Sequence, residues 1–404
     1  MNILFLSQVL PYPLDAGPKV RSYYVLRHLA KRHTVTLATF VRSSDTPAAL
    51  AHMRTVVTRL APCPIQRSAL REAAAIGRSA VSGEPVLITR DRVPEMYALL
   101  SQLASETSFD AIHADQLWMA PYALAAGTHT NGGHHRPHLL LDQHNAVYLI
   151  PGRMAAVATN PMLRLGWRRE VRQMARFEAR VCQAFDHVVT VTDADRQALN
   201  RLYPRGHSPE FTVIPICIDT QSITPRPRTD APGLLFLGGM HWPPNGDAAR
   251  WFTEAVLPNV RAGEPRARFL AVGQQPPESL LKPELAGFVE APGYVDDVDP
   301  YWARTQVFVV PLLAGGGMRV KILHAWAQGI PIVSTTIGAE GLTYQAGESM
   351  LIADTADEFA RAVLSILHDP ALAQRLAAAG RATVEQYYDW QRIYAAWDSL
   401  YVVG

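Results

Sequence analysis

The sequence predicts an α/β protein of two domains, each a doubly wound parallel sheet, and three observations lead there. Short apolar runs alternate with amphipathic helical stretches through both halves, the pattern of strands joined by helical crossovers. The chain of 404 residues is longer than the roughly 250–300 residues at which one core stops growing. A stretch dense in proline and polar residues, 223–233, interrupts the alternation near the middle and reads as a linker. In order, the N-terminal half places strands at 3–6, 34–38, 111–113, 139–142, 188–191 and 212–214. The C-terminal half places them at 234–237, 269–272, 307–311 and 332–334, with a weaker one at 350–353. The expected domains are residues 1–224 and 225–387. The aromatic tail 388–404 is expected as a helix that packs back on the first domain or caps the second, since periodicity does not say what a helix packs against.

Composition removes several classes of function. A formal charge of +2 with 18% charged residues supplies no basic field for nucleic acid. Cys63, Cys182 and Cys217 are too few and too widely spaced for a disulfide framework or a zinc cluster, so reduced thiols are expected. The first strand starts directly after Met1, too short a lead for a signal peptide. No apolar run approaches the roughly 20 residues that span a bilayer. A cytoplasmic protein is expected, at most resting on the inner face of the cell membrane.

The most chemically loaded stretch runs from Pro311 to Gly341. An apolar strand leads into Gly315, Gly316, Gly317 and Met318, and a helix then starts with Arg319 and Lys321. Glycines let a backbone approach a ligand closely, and the N–H groups opening a helix favour an anion. Cations are unfavourable at that helix end, so two of them point to a bound anion, and a diphosphate fits best. Two other readings stay beside it. Gly315-x-Gly317 followed by Glu340 imitates a dinucleotide fingerprint, but Val320 stands where the third glycine belongs. The loop could also be plain, with two solvated basic residues.

Read together, these motifs resemble family 4 of the retaining glycosyltransferases. The carriers are Gly317-x-Arg-x-Lys-Ile-Leu-x-Ala-x-Ala-x-Gly-x-Pro-Ile-Val-Ser-Thr335 with Gly338-Ala-Glu-Gly341; the opening Met-Asn-Ile-Leu-Phe-Leu with Pro11, Pro13 and Gly17; Phe109-Asp-Ala-Ile-His-Ala-Asp115; Leu141-Asp-Gln-His-Asn145; Phe236-Leu-Gly-Gly-Met-His-Trp-Pro-Pro-Asn245; and Gly293-Tyr-Val-Asp-Asp-Val298. The resemblance implies the GT-B fold, two Rossmann-like domains facing across a cleft, and transfer of a sugar from a nucleotide-sugar donor. It implies no metal and no cofactor, the nucleotide-sugar being a substrate. Carried onto this chain, it implies that the backbone at Gly316, Gly317 and Met318 faces the donor sugar and diphosphate. Arg319 and Lys321 are expected to neutralise the leaving phosphate, and the loop at Tyr294 and Val295 to read the base. His144 is expected to face the donor sugar from the first domain, with Asp142 fixing its tautomer. Gly17 lets the first helix approach the diphosphate, or serves a turn that needs positive φ, and Gly239 belongs to the donor loop. Members of the family usually carry two glutamates eight positions apart; Gly316 and His324 stand there instead. An imidazole offers one donor and one acceptor, so a weaker ribose contact is expected at His324.

Two further features divide between a functional and a plain reading. Asp297-Val-Asp299 imitates a metal motif, yet it precedes a short helix near Pro300, where Asp is a favoured cap. The basic helix at 162–184 carries Arg164, Arg168, Arg169, Arg172, Arg176 and Arg180. It suits an anionic lipid surface, or a solvated face with Glu170 and Glu178 as local partners. The leading functional expectation is a metal-independent, retaining hexosyltransferase of surface polysaccharide or glycolipid synthesis, acting on a saccharide or lipid-linked acceptor. The alternatives are a non-catalytic nucleotide-sugar- or glycan-binding subunit and a nucleotide-sugar epimerase.

Overall fold

Seven parallel strands build the first sheet: β1 (Asn2–Ser7), β2 (Thr34–Val41), β3 (Arg59–Pro64), β4 (Ala111–Asp115), β5 (His138–Gln143), β6 (His187–Thr190) and β7 (Phe211–Val213). Their order is β3-β2-β1-β4-β5-β6-β7. Six more build the second: β8 (Gly233–Leu237), β9 (Arg268–Val272), β10 (Val289–Gly293), β11 (Thr305–Val310), β12 (Ile332–Ser334) and β13 (Leu351–Ile352), in the order β10-β9-β8-β11-β12-β13. The computed structural model describes residues 1–66, 68–128, 136–157, 160–204 and 206–401. In both sheets the first strand lies inside and the order reverses beside it, between β1 and β4 and between β8 and β11. Such a reversal opens a crevice at the carboxyl ends of the strands, where ligands bind in doubly wound folds.

Strands covered on both faces read as continuous apolar runs, and β1, β8 and β11 do: Ile3 to Leu6, Leu234 to Phe236 and Val307 to Val310 are essentially inaccessible, whereas β4, equally buried, carries His113 and Asp115. β3 and β10 fall outside the predicted strands, and both sit at sheet edges. They carry Pro62, Pro64 and Pro292, which an edge strand tolerates because it need not donate a full ladder of hydrogen bonds.

The chain divides into two units, Met1–Ile216 with Ile393–Gly404, and Cys217–Arg392. The division precedes the proline-rich linker because residues 218–223 are fastened to the end of the second unit. Ile218 N–H donates to the Tyr388 carbonyl, Trp390 N–H to that of Ile218, and Arg381 to the carbonyls of Thr220 and Ile223. The Pro370–Tyr387 helix ends, Asp389 turns inward to take the Thr220 hydroxyl and the N–H groups of Gln391 and Arg392, and the expected tail helix follows from Trp390 to Tyr401, α-helical over Trp390–Ile393 and 3₁₀ over Tyr394–Tyr401. The 3₁₀ part belongs to the first unit: Asp398 pairs with His28 and Arg32, and the Tyr401 hydroxyl meets His113 Nδ1 at 2.6 Å. Residues 402–404 of the expected tail lie outside the described residues. Cys63, Cys182 and Cys217 are each unbridged and buried. No helix among the described residues is long and apolar enough to cross a membrane.

Candidate functional site

In the second unit the strand reversal is framed by the loop after β8 and the loop after β11. Gly238 and Gly239 end β8 so closely against the next strand that a Cβ on Gly273, itself at φ 152°, would lie 2.0 Å from the Gly238 carbonyl oxygen. Only glycine fits such an approach. Across the reversal stands the Val320–Ala327 helix, and its Lys321 reaches back to the end of β8. The Lys321 ammonium donates to Asn245 Oδ1 at 3.3 Å and lies 4.5 Å from the centre of the Phe236 ring. A Cβ at Gly238 would sit 2.8 Å from it. No carboxylate pairs with it among the described residues. Burial, reinforced by the positive charge of Arg319, pushes this lysine down to about 7. A buried cation without a counter-charge is costly, and an incoming anion removes that cost.

Arg319 is the N-cap residue of the same helix and folds back on its own loop, donating to the carbonyls of Gly316 and Gly317. That turn requires Gly315 at φ 130° and Gly317 at φ 79°, and a Cβ at Gly315 would meet the guanidinium at 2.8 Å. Met318 is tucked inward. Of the two expected cations, then, Arg319 shapes the glycine turn and Lys321 reaches the strand ends. His324, one turn beyond Lys321, is half-buried, and burial pushes its imidazole down to about 4, so it is neutral. Tyr294, half-exposed, and Val295 follow β10 on the same edge, tied to β9 through Gly273 N–H and the Gly293 carbonyl. Ala314, Gly315, Thr336, Ile337 and Glu340 line an open depression of about 270 Å³ beside the glycine turn.

In the first unit the pairing register sets Ser7, Asp115 and Asp142 side by side at the ends of β1, β4 and β5. Asp115 accepts from the Ser7 and Ser22 hydroxyls and from His144 Nε2 at 2.9 Å. Asp142 is held bidentately by Arg21, whose remaining nitrogen donates to the carbonyls of Ile214 and Pro215. His144 therefore rests on Asp115, with Asp142 Oδ2 farther off at 3.6 Å. This corrects the expected orienting partner: Asp142 is occupied by a guanidinium, and the residue next in register takes the imidazole. Burial alone would lower the His144 imidazole; Asp115 and Asp142 outweigh it and raise it to about 9, so the ring is an imidazolium at neutral pH with Nδ1 buried and unbonded. The loop bearing His144 is braced from behind. Asp195 takes the Ala146 N–H, and Glu178, pushed up to about 8 by burial, takes those of Val147 and Tyr148. Gly17 opens the Gly17–Leu29 helix after β1, and its φ lies outside the left-handed region, so the positive-φ reading does not hold for it.

His113, Asp115 and Asp142 place one ligand atom each within 4.8 Å of one another. The two carboxylates are already committed, Asp142 to Arg21 and Asp115 to two hydroxyls and an imidazolium; Tyr401 holds His113 Nδ1, while His113 Nε2, 3.9 Å from Asp142 Oδ2, has no hydrogen-bond partner among the described residues. Asp297, in the motif that imitates a metal site, accepts the Asp299 N–H, while Asp299 pairs with Arg226. Sequence reasoning gave no site role to Asn245, Phe236, Asp115, Ser22 or Arg21. Asp115, Phe236 and Asn245 stand at the ends of the motifs quoted above, whereas Ser22 and Arg21 left no signal.

The comparisons follow the same division. A family model described as Glycosyltransferase Family 4 matches residues 17–222, and one described as Glycosyl transferases group 1 matches residues 231–369. The chain is 27% identical over 246 residues to a glycogen synthase of Mycobacterium tuberculosis, 58% of either protein. It is 34% identical over 118 residues to the lipopolysaccharide core biosynthesis glycosyltransferase LpsE of Rhizobium meliloti, 29% of this chain and 34% of that one. The chain thus spans little more than half of the first relative's length. Among solved structures, the sucrose-phosphate synthase of Thermosynechococcus elongatus matches with TM-score 0.72 at 17% identity over 99% of this chain and 98% of that one. HepE of Anabaena, in complex with UDP, matches with TM-score 0.68 at 13% identity over 99% and 100%. At these identities the likeness is one of fold, the GT-B architecture of two parallel-sheet α/β domains. With a family model matched over more than half of its residues, the chain belongs to glycosyltransferase family 4.

Proposed function

We propose that the protein is a retaining, metal-independent glycosyltransferase that moves a hexose from a nucleotide-sugar to a saccharide or lipid-linked acceptor in surface polysaccharide or glycolipid synthesis. The observation that carries this reading is Lys321, a half-buried lysine with no carboxylate beside it among the described residues, held at the strand reversal of the second unit. As the bond from the anomeric carbon to the diphosphate breaks, negative charge gathers on the leaving oxygen. A fixed cation and loop N–H groups there stabilise that state more than the bound donor. The acceptor hydroxyl forms the new bond, and its proton passes to the departing diphosphate. Lys321 and the turn shaped by Arg319 supply the charge that a metal supplies elsewhere. His144, a cation with its Nδ1 proton unspent, donates to a sugar hydroxyl. Tyr294 and Val295 meet the base, Gly239 leaves room for the diphosphate, and neutral His324 takes the ribose.

Relatives support the substrate class: HepE is described in complex with UDP and glucose, and a relative in Corynebacterium glutamicum is named a GDP-mannose-dependent mannosyltransferase. A thermal-shift screen over nucleotide-sugars identifies the donor, because a ligand at about 100 times its Kd stabilises by roughly 2.7 kcal/mol. Transfer with that donor, followed by NMR of the product anomer with and without chelator, tests retention and metal independence. Inversion, or activity that a chelator abolishes, removes those two properties. The glycine and histidine standing at the family's two glutamate positions favour one competing reading, a binding subunit. Calorimetric donor binding with no transfer to any acceptor would establish that reading instead.

A further inference from the structure

Five of the twelve large apolar side chains exposed among the described residues fall on two neighbouring helices of the first unit: Ile76 and Val81 on the Ala69–Ser82 helix, and Met162, Leu163 and Leu165 in the first turns of the Pro161–Gln183 helix. Scattered singly, such residues need no explanation; grouped, they mark a surface that something covers. The first helix wears its apolar face outward. Its inward line is Ala75 and Ser79, whereas Ala73, Ile76, Gly77 and Ala80 follow the helical spacing on the opposite side and are all exposed. A surface helix ordinarily turns that stripe to the core. Val81, 92% exposed, and Met162, 83% exposed, are as open as side chains of a folded protein can be.

The two helices meet where Arg169 and Gln173 donate to the carbonyls of Ser79 and Gly83. Around that junction the unpaired charge is positive, Glu84 beside Gly83 being taken by Arg92 and Arg180. Arg164, Arg168, Arg172 and Arg176 are exposed on the longer helix, and none has a carboxylate partner among the described residues. The acids expected to serve them face the other way. Glu170 accepts the backbone N–H groups of Val86 and Leu87, and Glu178 those of Val147 and Tyr148. Arg78 extends the same sign along the shorter helix, where Glu72 is also exposed and Arg71 lies 3.8 Å from Glu95.

We propose that this face is a docking surface for an anionic lipid bilayer, with the outward apolar side chains entering the headgroup boundary and the arginines meeting lipid phosphates. Apolar side chains bordered by unpaired arginines match an interface that is apolar in depth and anionic at its rim. A protein partner of this size of patch would need acids to answer four arginines, and a second copy of this chain would bring arginines against arginines. The purpose, delivery to a lipid-linked acceptor, rests on the transfer reading above. Attachment is measured without turnover, so either can fail alone.

The test is co-sedimentation of the full chain with vesicles of phosphatidylcholine, with and without phosphatidylglycerol. The wild type is expected to sediment with the phosphatidylglycerol vesicles and to be released by salt. The Arg164→Gln, Arg168→Gln, Arg172→Gln variant should lose about a hundred-fold in partitioning, from about 1 kcal/mol for each arginine near an anionic surface. Ile76→Asp with Leu165→Asp should lose at least ten-fold while circular dichroism is unchanged, both positions being exposed. Wild type remaining in the supernatant with anionic vesicles overturns the proposal, as does an arginine variant that binds as well as wild type. So does a dimer in light scattering that Ile76→Asp with Leu165→Asp dissolves, which would make the face a contact between copies.

Discussion

Replacing Lys321 with methionine keeps the apolar stem and removes the charge, and its consequences are fixed by the sign of one shift. The lysine falls from 10.5 to about 7, from burial first and the Arg319 charge second. That fall corresponds to about 5 kcal/mol disfavouring the ammonium, an upper bound once solvent relaxes around a half-buried group. A diphosphate beside the ammonium reverses the preference and holds the proton. In the unliganded protein about nine-tenths of this lysine is neutral at pH 8, so donor binding there takes up close to one proton. Affinity should weaken as pH rises above 7, by up to about ten-fold per pH unit. Calorimetry of nucleotide-sugar binding in two buffers of unlike ionisation enthalpy reads the proton number directly. Lys321→Met should bind without uptake, more weakly, and with a flat profile. Stability runs the opposite way to function. Because the folded value lies below the unfolded one, the unfolded chain holds more protons between pH 7 and 10.5, and stability rises with pH across that window. Lys321→Met should therefore raise Tm at pH 6.5. Donor binding by the wild type that is independent of pH from 6.5 to 9, with no proton taken up, refutes the reasoning.

Asp115→Asn should bring His144 from about 9 toward the ordinary histidine range; the raised value stabilises the fold fully below pH 6.5 and less as pH climbs through 9, so the variant loses its stability margin at pH 6 and much less at pH 9.5, as imidazole NMR and melting curves would record. Arg21→Met strands the buried Asp142 carboxylate and should cost about 3–5 kcal/mol, part of which Asp142→Leu in the same chain restores, measured by denaturant melts. Gly273→Ala forces a Cβ to 2.0 Å from a carbonyl at φ 152° and should compromise folding of the second unit, whereas Gly238→Ala meets the movable end of Lys321 at 2.8 Å and should weaken donor binding with little change in Tm. His324→Glu sets a carboxylate one turn from Lys321; donor binding should persist, and the lysine's proton uptake should shrink, in the same calorimetric experiment.

What could be read from the sequence about the fold follows from how buried each strand is. β1, β8 and β11 are covered on both faces, so apolar content alone announces them. β3 and β10 are edge strands whose Pro62, Pro64 and Pro292 resemble loop punctuation, and only their neighbours' hydrogen bonds make them strands. In the tail, the helical spacing of aromatics from Tyr387 to Trp397 hides one break: Asp389 satisfies the Thr220 hydroxyl and the N–H groups of Gln391 and Arg392, and that local bonding ends one helix and opens the next, which runs from Trp390 to Tyr401.

The site was legible where backbone chemistry carries it and hidden where side-chain reach does. Glycines at 315 and 317 announce a turn because only that turn needs them. The sequence says nothing about where a four-carbon stem ends, so Arg319 and Lys321, two positions apart, read as a pair of equivalent cations. They are not equivalent. The residue at the helix cap folds onto carbonyls two and three positions behind it, and the one a further two positions along points across the strand reversal to Asn245. The space that Lys321 fills exists only because Gly238 has no side chain. A cation brought from the helix after β11 therefore requires a glycine at the end of β8, and a larger residue at 238 together with Lys321 is a combination this site excludes. The first unit hides its logic similarly: Ser7, Asp115 and Asp142 are more than a hundred residues apart at the extremes, and only the pairing register makes them neighbours. Which of the two aspartates orients His144 was decided by Arg21, a helix residue that no motif contained.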